Sequence, residues 1–265
     1  MTRPVATATF AFFSALGILA QPTAFEVSTI KSSNPTANGM SFGFRGPRRF
    51  TANNHTLKEC IAFAYNMSTK LISGGPAWIE SDRYDIVGEV PSETQPPMEQ
   101  AVRMEQAILM FQALLTDRFQ LNFHREPQER AVYNLILGKS ELKLKESALP
   151  PDRGQGLMFR PAAPHALTLP ARNATMAGFT SLLQRAILDR PVLDRTGLTG
   201  RYDFDLTWRI DGTQQDRGSL ASADVVTSDK PDIFAAIREL GLRLEPAKAQ
   251  VDIIVIDHVE RPDEN

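Results

Sequence analysis

The sequence predicts an α+β fold built from two similar tandem units with mainly antiparallel sheets. One observation is a repeat, because Asn54-His55-Thr56-Leu57 returns as Asn173-Ala174-Thr175-Met176, and Arg83-Tyr84-Asp85-Ile86 returns as Arg201-Tyr202-Asp203-Phe204. Another is element order, since each half reads as helix, strand, helix, strand, strand behind an N-terminal strand or hairpin. Internal repeats indicate architecture, and the predicted units are residues 21–140 and 141–265. The alternative is one mixed domain with coincidental short matches.

The first unit contains a clear helix start. Thr56 is expected to cap this helix, because Glu59 three positions later completes a capping box. A long second helix is predicted from apolar residues that recur at steps of three and four. The predicted elements of the first unit are a strand at 25–30, a hairpin at 38–52, the helix after Thr56, a strand at 84–90, a helix at 98–117, and strands at 119–124 and 131–137 joined at Pro127-Gln128.

The second unit repeats that order. Thr175 is expected to cap its first helix, and Gly241 to end its second, where glycine is the preferred residue. The apolar run at 251–256 is typical of a central strand buried on both faces. The other predicted elements are a strand at 201–208, a polar linker at 211–230, a helix opened by Pro231, and closing strands at 242–245 and 251–259.

The N-terminus is typical of a secretory signal peptide. Arg3 precedes an uncharged apolar run at 5–20, and Ala20 is a small residue suited to cleavage. The run is shorter than the roughly 20 residues that a membrane span needs. We therefore expect residues 1–20 to be a signal peptide, and the protein to be exported to the periplasm or the extracellular space. A buried first helix or an uncleaved anchor is the alternative. No later stretch predicts a transmembrane segment.

Charge and composition exclude one class of partner. The net charge is −2 and the isoelectric point is near 6.1, so the chain lacks the basic footprint of nucleic-acid binding. Arg45, Arg48 and Arg49 form a small basic cluster, which is typical of solvated surface. An envelope protein or a small ligand is therefore the predicted partner, and no cofactor is predicted.

Catalytic and metal motifs are weak. Ser41 lies in Gly39-Met40-Ser41-Phe42-Gly43, but a nucleophile elbow needs a buried strand before it and a helix after it, and neither flank fits. Cys60, the single cysteine, lies at helical spacing from apolar residues and is expected to be a buried, inert thiol. The histidines show no metal-ligand spacing. Asp203 and Asp205 share one face of a strand and could hold a cation, although solvated carboxylates are the simpler interpretation.

The repeated Arg-Tyr-Asp segment is the strongest candidate site. In a strand its arginine and aspartate share one face, and its tyrosine points to the other. The functional hypothesis is a polar ligand site with an aromatic wall, whereas the structural alternative is a strand-edge ion pair with a core tyrosine. The candidate ligand or interaction contacts are Trp78, Arg83, Tyr84, Asp85, Arg201, Tyr202 and Asp203.

Several motifs resemble one known family across nearly all of the chain after residue 20. They are Phe25-Glu26-Val27, Ile72-Ser73-Gly74-Gly75-Pro76-Ala77-Trp78, Ser81-Asp82-Arg83-Tyr84-Asp85-Ile86, Leu114-Leu115-Thr116-Asp117-Arg118-Phe119, the run 190–203, and Val255-Ile256-Asp257-His258-Val259. Together they resemble the soil-associated, acidobacterial-type exported proteins of unknown function. The resemblance implies export from a bacterium and no established activity. Similar domains follow membrane-embedded peptidase sensors, which implies extracytoplasmic sensing or interaction.

These observations predict a non-catalytic binding or interaction module of the bacterial cell envelope, with a possible sensing role. The rival hypothesis is an exported hydrolase with its site between the two units. An enzyme needs a nucleophile or base with an orienting partner, and the sequence shows no such pair. Whether the protein is an enzyme therefore stays open, with a non-catalytic role favoured.

Overall fold

The protein is α+β, with mostly antiparallel sheets and few helices. The computed structural model describes residues 24–34, 39–91, 100–163, 165–210 and 229–265. The predicted signal peptide and most of the predicted linker at 211–230 lie outside these ranges.

The first sheet is antiparallel and has the strand order β1-β5-β3-β2. Its inner face is apolar, with Ile30, Phe50 and Ile86 fully buried, and its outer face is polar. This alternation is typical of a sheet with one face on the core. Its strands are β1 (Val27–Ser32), β2 (Ser41–Arg45), β3 (Arg49–Thr56) and β5 (Arg83–Glu89).

The second sheet is also antiparallel and has the order β7-β11-β9-β8. Trp208 is fully buried on its inner face and is the largest such side chain in the described core. The strands of this sheet are β7 (Lys145–Glu146), β8 (Arg160–Ala163), β9 (Ala166–Ala174) and β11 (Tyr202–Arg209).

The third sheet is a long ribbon in which β6 (Asn122–Leu137) pairs antiparallel with β12 (Leu242–His258). Two short strands pair parallel with the ribbon: β4 (Ile72–Gly74) with β12, and β10 (Val192–Asp194) with β6. The prediction of separate strands at 119–124 and 131–137, and at 242–245 and 251–259, is wrong. The middle of the ribbon is largely exposed, so its residues are mostly polar. The backbone pairing between β6 and β12 nevertheless continues through it.

The helices are short except for α3. Thr56 caps α1 with the predicted capping box, and the side chain of Thr175 accepts from the Gly178 N–H at the start of α4. Within the described ranges, no helix is both long and apolar enough to cross a membrane. The helices are α1 (Leu57–Ala64), α2 (Trp78–Ser81), α3 (Gln100–Arg118), α4 (Met176–Leu182) with a π-helical turn at Leu183–Ile187, and α5 (Ile233–Glu239).

Two hydrophobic cores pack against opposite ends of the ribbon, and each takes residues from both halves of the chain. The first core combines the inner face of the first sheet with α1, α3 and the distant Ile253, Ile254 and Ile256 of β12. The second core combines the second sheet with α4, α5 and the Tyr133 and Leu135 side chains of β6. The prediction of a strand buried on both faces at 251–256 is confirmed only for the adjacent Ile253 and Ile254, which are both fully buried, whereas Asp252 is exposed.

Candidate functional site

The first Arg-Tyr-Asp segment, Arg83-Tyr84-Asp85, stabilises a β-bulge in the first sheet through side-chain hydrogen bonds. The register between β3 and β5 shifts after Ala52, where Asn54 takes a left-handed conformation with φ 57°. Asp85 Oδ1 accepts from the Asn54 backbone N–H at 2.8 Å, and Arg83 Nη1 donates to the Asn54 carbonyl at 2.7 Å. Ser33 Oγ also donates to Asp85 Oδ1 at 2.8 Å. The segment therefore binds both backbone groups of one strained residue.

The second segment makes the same bonds in the second sheet. Asn173 has φ 51° at a bulge between β9 and β11, and its backbone N–H donates to Asp203 Oδ1 at 2.8 Å. Arg201 Nη1 donates to the Asn173 carbonyl at 3.2 Å. The Asn173 hydrogen bond is the main reason that the pKa of Asp203 is lowered, and a hydrogen bond from the Ser147 side chain adds to the effect.

These bonds give the candidate arginines and aspartates a structural role. Tyr84 and Tyr202 point to the opposite face of their strands from these arginines and aspartates. Tyr84 is buried in the first core and Tyr202 in the second. Trp78 lies on α2, with the Arg261 guanidinium 5.0 Å from its ring centroid. Of the seven predicted contacts, only Asp85 lines the groove described next. A ligand role for the seven stays a prediction.

An open groove of about 550 Å³ lies on the outer face of the first sheet. Successive side chains of β2, β3 and β5 point to opposite faces of the sheet, and most of those on this face are polar. The groove is lined by Gly39, Met40, Ser41, Arg45, Arg49, Thr51, Asn53, Asn54, Asp85 and Val87.

Two arginines stand at one end of the groove. Arg45 and Arg49 face each other across the β2–β3 hairpin and are both exposed. Among the residues that the structure describes, no carboxylate lies within ion-pair distance of either guanidinium, although Glu89 is opposite Arg49 in the register of β5. Arg48, the third member of the basic cluster, instead forms an ion pair with Glu26.

The corresponding face of the second sheet carries an ion pair and a hydroxyl hydrogen bond between its own side chains. Arg172 directly precedes the left-handed Asn173, as Asn53 precedes Asn54, and it forms an ion pair with Asp205 at 3.0 Å. Farther along the same face, Thr207 Oγ1 donates to Thr168 Oγ1 at 2.9 Å. At these register positions the first sheet has the amide Asn53, the apolar Val87 and the charged Arg49 and Glu89.

The described groups of the groove suit binding better than nucleophilic chemistry. Ser41 Oγ accepts from Asn53 Nδ2 at 3.0 Å, whereas the His55 ring lies on the other face of the hairpin, stacked 3.7 Å from Phe42. Cys60 is fully buried, and burial raises its thiol pKa far above the usual range. No cluster of three or more metal-ligating side chains occurs in the described parts of the chain.

Sequence reasoning missed this groove. It singled out Ser41 as a rejected nucleophile and interpreted Arg45 and Arg49 as solvated surface. The available signal was the alternation of Ser41, Gly43 and Arg45 with the aromatic Phe42 and Phe44. That alternation indicates a hairpin with one apolar and one polar face. The position of β5 beside the hairpin, however, depends on pairing between segments far apart in sequence.

Comparison with known proteins gives one match. Residues 58–259 match a family model described as a protein of unknown function (DUF3738). No curated protein matches the chain significantly. No solved structure does so either.

Proposed function

We propose a role for this chain, which belongs to the DUF3738 family of unknown function, from the groove on its first sheet. The protein is a non-catalytic binding module, and its ligand lies on the outer face of that sheet. The observation that carries this proposal is the contrast between the two sheets. The outer face of the second sheet carries the Arg172–Asp205 ion pair and the Thr168–Thr207 hydrogen bond, whereas the outer face of the first sheet forms a groove lined mostly by polar groups.

The proposal includes a duplicated architecture of two tandem units at residues 21–140 and 141–265. Support comes from the bonds of Asn54 with Arg83 and Asp85, which recur between Asn173, Arg201 and Asp203. The two units also exchange strand ends through the β6–β12 ribbon.

The proposed location is outside the cytoplasm. The apolar run at 5–20 supports a cleaved signal peptide, and the resemblance to acidobacterial-type exported proteins supports export from a soil bacterium. The ligand is then a small molecule or an envelope protein in the periplasm or the extracellular space, and binding serves interaction or sensing.

A binding screen with a groove-closing variant tests the proposal. The double substitution Asn53→Arg with Val87→Asp copies the ion pair of the second sheet into the groove. Amide chemical shifts would be followed during titration with neutral sugars, amino acids, organic carboxylates and phosphate esters. We expect at least one class to shift residues 41–54 and 85–87 in the native chain, and to have no such effect on the closed variant.

Asp205→Ala is the matched control, because it alters the same face of the second sheet; it should bind as the native chain does. Failure of every probe class to shift the groove residues would contradict the proposal. So would equal binding by the closed variant. Turnover of an ester, amide or glycoside that is abolished by Ser41→Ala would instead support the rival hypothesis of an exported hydrolase.

A further inference from the structure

Resting on the proposed function, we infer that Arg45 and Arg49 hold an oxyanion of the ligand, and that the ligand is a hydroxyl-rich anion such as a sugar acid or a sugar phosphate. Like charges directly opposite each other on paired strands destabilise a sheet. In the described structure neither guanidinium forms an ion pair with a carboxylate, and Glu89, opposite Arg49 in the register of β5, supplies one negative charge against the two positive ones. A bound carboxylate or phosphate would offset it, because it accepts hydrogen bonds from both planar guanidinium groups.

The tip of the β2–β3 hairpin, between the two arginines, forms hydrogen bonds with Val90 and with Arg103. Arg48 Nε donates to the Val90 carbonyl at 2.8 Å, and the Val90 N–H donates to the Arg48 carbonyl at 2.9 Å. Arg103 Nη1 donates to the Pro47 carbonyl at 3.0 Å. These bonds hold the tip in place, so the backbones of Arg45 and Arg49 are positioned before the ligand arrives. Such preorganisation lowers the entropy lost on binding.

The rest of the groove favours hydroxyl groups on the ligand. Ser41 and Asn53 present a hydroxyl and an amide group, with Asn53 Nδ2 donating to Ser41 Oγ at 3.0 Å, and the buried Thr51 beside them donates its hydroxyl to the Gly43 carbonyl at 3.3 Å. Asp85 lies beyond them, and its Oδ1 already accepts from Asn54 and Ser33. The negative charge of the ligand is therefore expected at the arginine end. A groove of about 550 Å³ is within the usual size range of small-molecule sites.

Isothermal titration of the full chain with glucuronate, glucose 6-phosphate, inorganic phosphate and glucose tests the inference. We expect one of the two anionic sugars to bind more tightly than both glucose and inorganic phosphate. Arg45→Gln with Arg49→Gln should weaken that binding by about tenfold or more, since charge-assisted hydrogen bonds are lost. Arg160→Gln, which changes an arginine on the edge strand of the second sheet, is the matched control and should bind normally.

The outcomes separate this inference from the proposed function. Glucuronate and glucose 6-phosphate distinguish a carboxylate from a phosphate ester as the preferred anion. If anionic sugars shift the groove residues but the double glutamine variant binds them equally, the inference is overturned and the binding function stands. The same holds if glucose binds as tightly as the anionic sugars. If neither these compounds nor any other class in the screen shifts the groove residues, both fail.

Discussion

Removal of the Asp203 carboxylate should be among the more costly polar substitutions in the protein. Its Oδ1 accepts from the Asn173 N–H at 2.8 Å, and Asn173 is fully buried. In Asp203→Ala this N–H has no carboxylate partner and little access to water. A lost hydrogen bond to a charged group corresponds to about 1.5–3 kcal/mol, and the bond also holds Asn173 in its left-handed conformation. We therefore expect the free energy of unfolding to fall by about 2–3 kcal/mol.

Urea denaturation followed by circular dichroism measures this loss, with Asp205→Ala as the matched control. Asp205 lies two residues farther along the same strand face, but its carboxylate forms an exposed ion pair with Arg172. Such a pair contributes about 0–1 kcal/mol. The explanation is refuted if Asp203→Ala lies within about 0.5 kcal/mol of the native chain, or if the two variants are equally destabilised.

The dependence on pH gives a second measure of the same interaction. Hydrogen bonding, chiefly from Asn173, lowers the pKa of Asp203 in the folded protein. A lowered folded pKa stabilises the protein above the unfolded value of about 3.9, and this contribution is lost as the pH falls through the folded pKa. Asp203→Ala should therefore differ most from the native chain near neutral pH and converge with it in acid.

Two further predictions concern α1. Thr56→Ala should lower the free energy of unfolding by about 1 kcal/mol, because the Glu59 N–H loses its acceptor, whereas Thr56→Ser should be nearly neutral; urea denaturation of both compares them. Cys60 should resist a thiol reagent in the folded protein and react fully in denaturant, because it is completely buried and its thiol pKa is raised. Rapid labelling under native conditions would contradict that prediction.

Local features were predictable from the sequence, and long-range pairing was not. Thr56 and Thr175 were identified as caps because capping depends on residues three positions apart. The continuous ribbon was missed because the two ends of β6 pack in different cores, and its exposed middle resembles a turn. The groove was missed because the position of Val87 beside Thr51 depends on pairing between segments far apart in sequence.

The exchange of strand ends in the ribbon affects how the chain folds during synthesis. Ile253, Ile254 and Ile256 belong to the first core, yet the ribosome adds them after almost every other residue of that core. Domains generally fold as units, the N-terminal one first, but here the early core has an open side until the last strand arrives. The first core therefore exposes apolar surface on the nascent chain until the C-terminal part of β12 has been synthesised.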